Sequence, residues 1–402
     1  MTSCNGGGSS DNSLATVKID GKVSCINKKG KLVVPAIYDG IGSWSEGLAA
    51  VILNGKLGFI DHKGKQVIPL IYNGDIDALL PYFSEGLVAM NKNNVWGYID
   101  KTGIEVIPFQ YNYAEPFSEG YAAVQRNGKW GIIDKNDNQV INNSYEIINS
   151  ISEGLTVGKY KSFLRQFNRW EILDTMGQII SSTSKNYNFI GVFSEGLASV
   201  FIKNYRSDFY GGDAGKYGYI DENGRVVIPV KYDYYFEGDE LFREKFHEGL
   251  ARVSKGEFES IKYGFVDKTG KEVIPLKYDW VTVFNGGLAA VVLNNKFGFI
   301  NRNGEEVVPP IYDNISRSGG YQYICFSEDL AAVQKDDQWG FIDKTGNTII
   351  PFKYQFANNF FENLAYTSDG FIDKTGKVII PSSSLQKYEY VDNFVAVNKE
   401  NK

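Results

Sequence analysis

The chain has 402 residues, 43% of them hydrophobic and 22% charged, with a formal net charge of −6. That apolar content excludes global disorder, and Lys and Arg scattered singly on an acidic chain exclude a general nucleic-acid binder. Two histidines, three cysteines and no C-x-x-C or H-E-x-x-H spacing argue against a zinc site, and no apolar run is long enough to span a membrane.

Residues 1–13 are Gly/Ser-rich and without apolar periodicity, which predicts a flexible tether. The order Thr2-Ser3-Cys4 resembles the end of a bacterial lipobox, in which small residues precede a lipidated cysteine. The resemblance implies that Cys4 carries a lipid anchor, the chain's only link to a membrane. The protein would then sit in the bacterial cell envelope, at the outer membrane or cell surface; a cytoplasmic chain in which Cys4 is an ordinary residue is the alternative.

Residues 14–402 repeat one unit about ten times. A clear copy runs Phe117-Ser-Glu-Gly-Tyr-Ala-Ala-Val124, a turn at Asn127-Gly128, Trp130-Gly-Ile-Ile-Asp134 and then Gln139-Val140-Ile141. The residue after Ser-Glu-Gly recurs at Leu48, Leu87, Tyr121, Leu155, Leu197, Leu250, Leu288, Leu330 and Leu364, at intervals of 34 to 53 residues. Such spacing marks a repeat architecture with insertions in some units.

Within a unit, Leu-Ala-Ala-Val has strand length, and Asn127-Gly128 suits a tight hairpin because both residues tolerate positive φ. Trp-Gly-Phe-Ile-Asp reads as a second strand. The Asp-Lys-Thr-Gly segments at Asp100–Gly103, Asp267–Gly270, Asp343–Gly346 and Asp373–Gly376 fit a type I turn capped by Asp and closed by a left-handed Gly. Val-Ile-Pro is the third strand, which the proline is expected to end. Each unit is therefore predicted to be a three-stranded antiparallel meander, marginal alone and stabilised by neighbours that bury its aromatic residues. The predicted fold is all-β: ten such units in a propeller-like ring or open spiral, with a linear β-solenoid as the alternative. Val395-Ala396-Val397 offers a capping or closing strand.

The motif Trp-Gly-Phe-Ile-Asp, a Gly turn and Val-Ile-Pro resembles the WG-repeat (KWG-repeat) family of bacterial proteins. It stands here as Val95-Trp96-Gly97-Tyr98-Ile99-Asp100, Lys129-Trp130-Gly131-Ile132-Ile133-Asp134 and Gln338-Trp339-Gly340-Phe341-Ile342-Asp343. Residues 155–193 depart most, with Arg169-Trp170-Glu171 in place of Trp-Gly, and the first copy is eroded to Val23-Ser24-Cys25-Ile26. The resemblance implies little about activity.

The recurring carboxylates read as structural. Asp61, Asp100, Asp134, Asp221, Asp267, Asp343 and Asp373 each stand alone in a turn, whereas calcium needs several oxygen ligands in one stretch. Glu46, Glu85, Glu119, Glu153, Glu195, Glu248, Glu328 and Glu362 recur at one turn per unit. His62 and His247 replace repeat residues at positions expected to face solvent, and Cys25 and Cys325 lie in or beside hydrophobic motifs. No catalytic residue, metal or cofactor is predicted. The insertions at 73–83, 205–216, 233–245, 255–261 and 313–325 are expected to gather on one face. They carry the candidate ligand-binding residues Tyr210, Tyr234, Tyr235, Tyr321 and Tyr323, joined by Trp280, which lies outside the repeat aromatic positions. Aromatics flanked by carboxylates and amides suit a protein partner or a sugar ring. The expected function is non-enzymatic binding or scaffolding of a protein partner in the cell envelope, with glycan capture as the alternative.

Overall fold

A computed structural model of the protein describes residues 13–75, 79–161, 168–183, 187–203, 214–235, 244–257, 260–316 and 325–395. Asn127 and Gly128 hold φ of 53° and 73°, so Arg126 pairs directly with Lys129 across a two-residue hairpin. The next turn is fixed by its aspartate. Asp100 Oδ1 accepts the N–H groups of Thr102 and Ile104 and the Thr102 hydroxyl, while Gly103 takes φ of 85°. These two turns fold the chain into the expected meander.

Ten small antiparallel sheets form in succession and stand in a ring, giving a ten-bladed β-propeller. Blades are numbered here in chain order: blade 1 begins at Leu14, blade 2 at Gly40, blade 3 at Leu87, blade 4 at Tyr113 and blade 5 at Ile147. Blade 6 begins at Phe189, blade 7 at Phe246, blade 8 at Trp280, blade 9 at Asn314 and blade 10 at Ala365. Eight sheets have four strands, because a further strand of two to six residues joins the three-stranded meander. The ring closes through Tyr390–Val395, which pairs antiparallel with Leu14–Ile19 and so makes the last strand part of blade 1.

The third strand does not end at its proline. Thr348–Tyr354 continues through Pro351, and Glu272–Tyr278 through Pro275. Proline is accommodated because it sits in a bulge: Trp339 pairs with Tyr354 and Phe341 with Ile350, so the single residue Gly340 opposes Pro351, Phe352 and Lys353. That bulge explains the repeat glycine. A Cβ on Gly131, Gly264 or Gly340 would stand 2.4, 2.4 or 2.8 Å from the carbonyl oxygen of Ile141, Ile274 or Ile350. Blade 5 has regular pairing from Trp170↔Thr183 to Ile172↔Ser181, so Glu171 fits where glycine is otherwise required. Its carboxylate accepts the Tyr145 hydroxyl at 2.7 Å.

Two kinds of contact join most blades to the next. The strand aromatic of one blade meets the aromatic that precedes Ser-Glu-Gly in the following blade: Tyr98 with Phe117, Phe265 with Phe284 and Phe341 with Phe360 have ring centroids 4.8, 4.7 and 4.8 Å apart. Both repeat aromatics therefore pack between units, as predicted. Polar groups form the second contact. Glu119 accepts the N–H groups of Glu153 and Gly154 in the next blade, both at 2.8 Å, and Ser118 Oγ donates to the Ile151 carbonyl. Glu46, Glu85, Glu195 and Glu328 make the same reach and also pair with Lys101, Lys135, Lys268 and Lys374 of the following blade. The clasp crosses the closure too, since Ser13 and Lys28 meet Glu362 of blade 10.

Glu119 holds φ of 53°, a left-handed conformation that costs about 1 kcal/mol for a residue with a Cβ. Glu119→Ala removes the clasp and keeps that cost, so it should destabilise the fold by about 1–2 kcal/mol. Glu119→Gly loses the same bonds but relieves the strain, and should recover about 0.5–1 kcal/mol relative to alanine. Chemical denaturation of the three proteins checks this order; equal stability of the two variants would show that the backbone is unstrained.

Candidate functional site

The short strands follow a sequence rule. The third residue after the repeat tyrosine is aliphatic in most units: Ile41, Ala114, Ile148, Ile190, Val281, Ile315 and Ala357. It is buried, or packed against the core in the case of Ile41, beside the first long strand of its blade. Asp75 occupies this position before blade 3. A carboxylate cannot take a dry aliphatic place without a large desolvation cost, and Asp75 is exposed. Among the described residues, blade 3 has three strands and no short one.

The preceding residues show where the path diverges. Asp279 donates its N–H to the Val292 carbonyl at 2.9 Å and caps the Asn294 N–H of the next hairpin with its carboxylate. The counterpart Asn73 instead remains in its own strand opposite Lys56, and its Nδ2 donates to Asn91 Oδ1 at 3.0 Å. A groove of about 320 Å³ opens between blades 2 and 3. Leu57, Leu79, Leu80, Met90 and Trp96 supply its apolar walls, and Asn73, Asp75, Asn91 and Asn94 its polar edge. Leu79 is 91% exposed, an aliphatic side chain set in solvent at the margin of the groove. Met90 is buried, and the Trp96 ring lies 4.8 Å from Tyr113, which in turn meets Trp130. Volume and lining match those of a binding groove.

The residues singled out from sequence do not form one site. Tyr210, Tyr321 and Tyr323 lie outside the described residues, as does Cys4. The backbone of Tyr235 pairs with Ala214. Tyr234 is half-buried on blade 6 with its ring edge-on to Phe201 and Tyr217, while Trp280 is half-buried on blade 8 against Phe297. Two separate blades thus hold the two described rings, each as packing. Cys25 and Cys325 are buried thiols in different core clusters, and burial pushes the Cys25 thiol up to about 12. Among the described residues no three His, Cys, Asp or Glu side chains converge as a metal site, and no helix is long and apolar enough to cross a membrane. The groove was missed because the insertion at 73–83 contributes aliphatic rather than aromatic side chains to it; the signal for it is Asp75 in the aliphatic position.

A second polar cluster lies where blades 6 and 7 meet. Arg252 pairs with buried Glu244 at 2.5 Å and donates to the Val281 carbonyl, and the buried Tyr217 hydroxyl donates to the Arg252 carbonyl. The neighbouring cavity is about 10 Å³, room for one water and no ligand, which makes this cluster structural.

A family model for the WG containing repeat matches residues 24–56, 58–96, 96–130, 217–257, 263–297, 297–318, 319–339 and 339–367. The chain belongs to the WG-repeat family. The unmatched stretch 131–216 includes the blade in which Glu171 replaces the repeat glycine. No curated protein sequence matches this WG-repeat chain. Among solved structures, its propeller is similar to the crystal structure of a eukaryotic initiation factor, with a TM-score of 0.51 and 11% identity over 84% of this chain and 95% of that one. It is also similar to the computationally designed Ika8 protein, at 0.35 and 13% over 74% and 93%, and to Kluyveromyces lactis Hsv2p, at 0.35 and 9% over 65% and 92%. The first likeness shows the fold alone.

His247 is half-buried rather than solvent-facing, and burial followed by the charge of Lys245 lowers its pKa, against the opposing charges of Glu195, Glu248 and Glu244. The folded state therefore resists the proton that the unfolded chain accepts as pH falls below about 6.5, so stability falls with acid through that range. His247→Ser restores the residue found in other Ser-Glu-Gly turns. Denaturation midpoints at pH 7.5 and 5 should differ less in the variant than in the parent; an unchanged difference would assign the acid sensitivity elsewhere.

Proposed function

We propose that this WG-repeat propeller is a non-enzymatic binding module of the bacterial cell envelope, and that its partner is a protein held at the groove between blades 2 and 3. The observation that carries this reading is the groove itself. Its apolar walls end at the exposed Leu79, and amides form its rim. Apolar surface bordered by polar groups is the ordinary anatomy of a protein contact. Partners captured from an envelope extract on immobilised protein test it. Leu79→Asp changes a side chain in solvent, so the fold should survive while recovery of a stoichiometric protein partner falls about tenfold or more. Equal recovery by the variant would remove the groove from the reading.

Glycan capture is the second reading, favoured by the Trp96–Tyr113–Trp130 aromatic series beside the groove. Recovery of saccharide without protein in the same experiment would replace the first reading with this one.

The envelope location rests on Cys4 and the Gly/Ser-rich residues that follow it. A lipid on Cys4, aided by a flexible tether, would hold the propeller beside the membrane. Expression of the natural gene in cells fed labelled palmitate should give a labelled membrane-bound protein, and Cys4→Ser an unlabelled one. Label retained in the variant would place the anchor elsewhere.

A further inference from the structure

The third strand of each meander stands at one edge of its sheet. Blades splay apart with distance from the axis of the ring, so the edge strand that leaves most of its residues in solvent is the outer one. The third strands of blades 1 and 2, Leu32–Tyr38 and Gln66–Asn73, contain no charged side chain. Ile37 and Ile71 are 47 and 50% exposed, and Leu32 and Val67 are exposed near the start of each strand. In blades 6, 7 and 9 the place of Ile37 is taken by Lys231, Lys277 and Lys353, each with its ammonium 4.9 Å above the ring of the tyrosine that follows. Ile311 repeats the isoleucine on blade 8, but there the strand opens on Glu306, preceded by Glu305. Such charges ordinarily guard an edge strand, and the third strands of blades 1 and 2 are without them.

The turns that lead into these two strands are basic. Lys29 and Lys63 occupy the third place of the turn, which is Thr, Asn or Met in the other eight units, and Lys31 and Lys65 follow the turn glycines. All four lysines are exposed. From Leu14 to Asn73 the chain has eight lysines and four carboxylates, although its net charge over all 402 residues is −6. Turns and strands interleave along the flank. A Cβ on Gly64 would stand 2.8 Å from the Val33 carbonyl oxygen, so the Lys63–Lys65 turn lies against the third strand of blade 1. A Cβ on Gly30 would stand 3.5 Å from Ile380, which puts the Lys29–Lys31 turn against the third strand of blade 10.

The chain enters the ring at the same edge. Leu14 pairs with Asn27, the residue that opens the basic turn of blade 1. Cys4 lies nine positions before Ser13, a length of chain that spans at most about 30 Å. A lipid on Cys4 would therefore keep this flank, and not the opposite side of the ring, within easy reach of the bilayer.

Resting on the lipid-anchor reading above, we infer that the outer flank of blades 1 and 2 is a membrane-docking surface. It lays Leu32, Ile37, Val67 and Ile71 on an anionic bilayer and sets Lys29, Lys31, Lys63 and Lys65 against lipid phosphates. Aliphatic side chains enter the boundary between headgroups and acyl chains, while lysines reach past them to the phosphates on flexible apolar stems. Anchor and flank do different work: the lipid holds the protein at the membrane, and the flank fixes which side of the ring faces it.

The test uses the unacylated protein, residues 1–402, and sedimentation with vesicles of phosphatidylcholine alone or of phosphatidylcholine and phosphatidylglycerol in equal amounts. The protein should bind the anionic vesicles, lose that binding as salt is raised, and leave the neutral ones in solution. Lys29→Glu with Lys63→Glu should lower partitioning onto anionic vesicles about tenfold or more. Leu32→Ser with Ile71→Ser, which alters exposed side chains and leaves the charge unchanged, should lower it about tenfold. Lys231→Glu with Lys353→Glu makes the same charge change on blades 6 and 9 and should lower it less than about threefold. Absence of binding to anionic vesicles would overturn the docking surface, as would equal binding to neutral ones or an equal loss from the blade 6 and 9 pair. In those cases a palmitate label on Cys4 would still stand. Flank-dependent vesicle binding by a protein that takes no label would support the surface and remove the anchor.

Discussion

Most blades depend on a neighbour for the burial of one aromatic ring. A three-stranded meander has too little surface of its own to form a core, and here the ring following the repeat glycine is covered by the aromatic that opens the next unit. Tyr98 against Phe117 and Phe341 against Phe360 are two instances of one contact. The serine, glutamate and lysine around it fix the spacing of adjacent sheets, because a carboxylate that accepts two backbone N–H groups of the next turn tolerates little displacement. A linear stack would leave two end blades without this cover. Closure supplies it: Tyr390–Val395 joins blade 1, and Glu362 of blade 10 meets Ser13 and Lys28.

Features governed by a few adjacent residues were legible in the sequence. Asn127-Gly128 forms its hairpin and Asp100 caps its turn because positive φ and short side-chain acceptors act locally. The repeat itself announced a ring or spiral of small sheets, and the two aromatic positions announced packing between them. Features that belong to two strands at once were not legible. Pro351 looks like a strand end until the bulge opposite Gly340 shows why the strand runs on. His247 looks solvent-facing because its neighbours in the motif are polar, yet the packing of the turn half-buries it. Tyr234 and Trp280 attracted attention as aromatics outside the repeat, but an aromatic beside another sheet is used first as packing, and both rings are half-buried against neighbours.

The departures from the repeat differ in what they leave behind. Glu171 replaces a glycine, and the loss of the bulge in its partner strand makes room for it; Tyr145 then satisfies its carboxylate. Gly286 replaces the clasp glutamate of blade 8, and Lys344, which would have met it, pairs with Asp329 at 2.8 Å. Both changes are compensated inside the ring. Asp75 is different in kind. It stands three residues after its tyrosine, where other units carry an aliphatic residue; Leu80, three residues before Phe83, packs on the core instead, and a groove lies alongside, edged by Asn73, Asn91 and the exposed Leu79. A repeat protein conceals function because identical units give a ligand no reason to prefer one of them. Specificity must therefore reside where one unit fails to match the rest and the mismatch faces outward, and blade 3 meets both conditions.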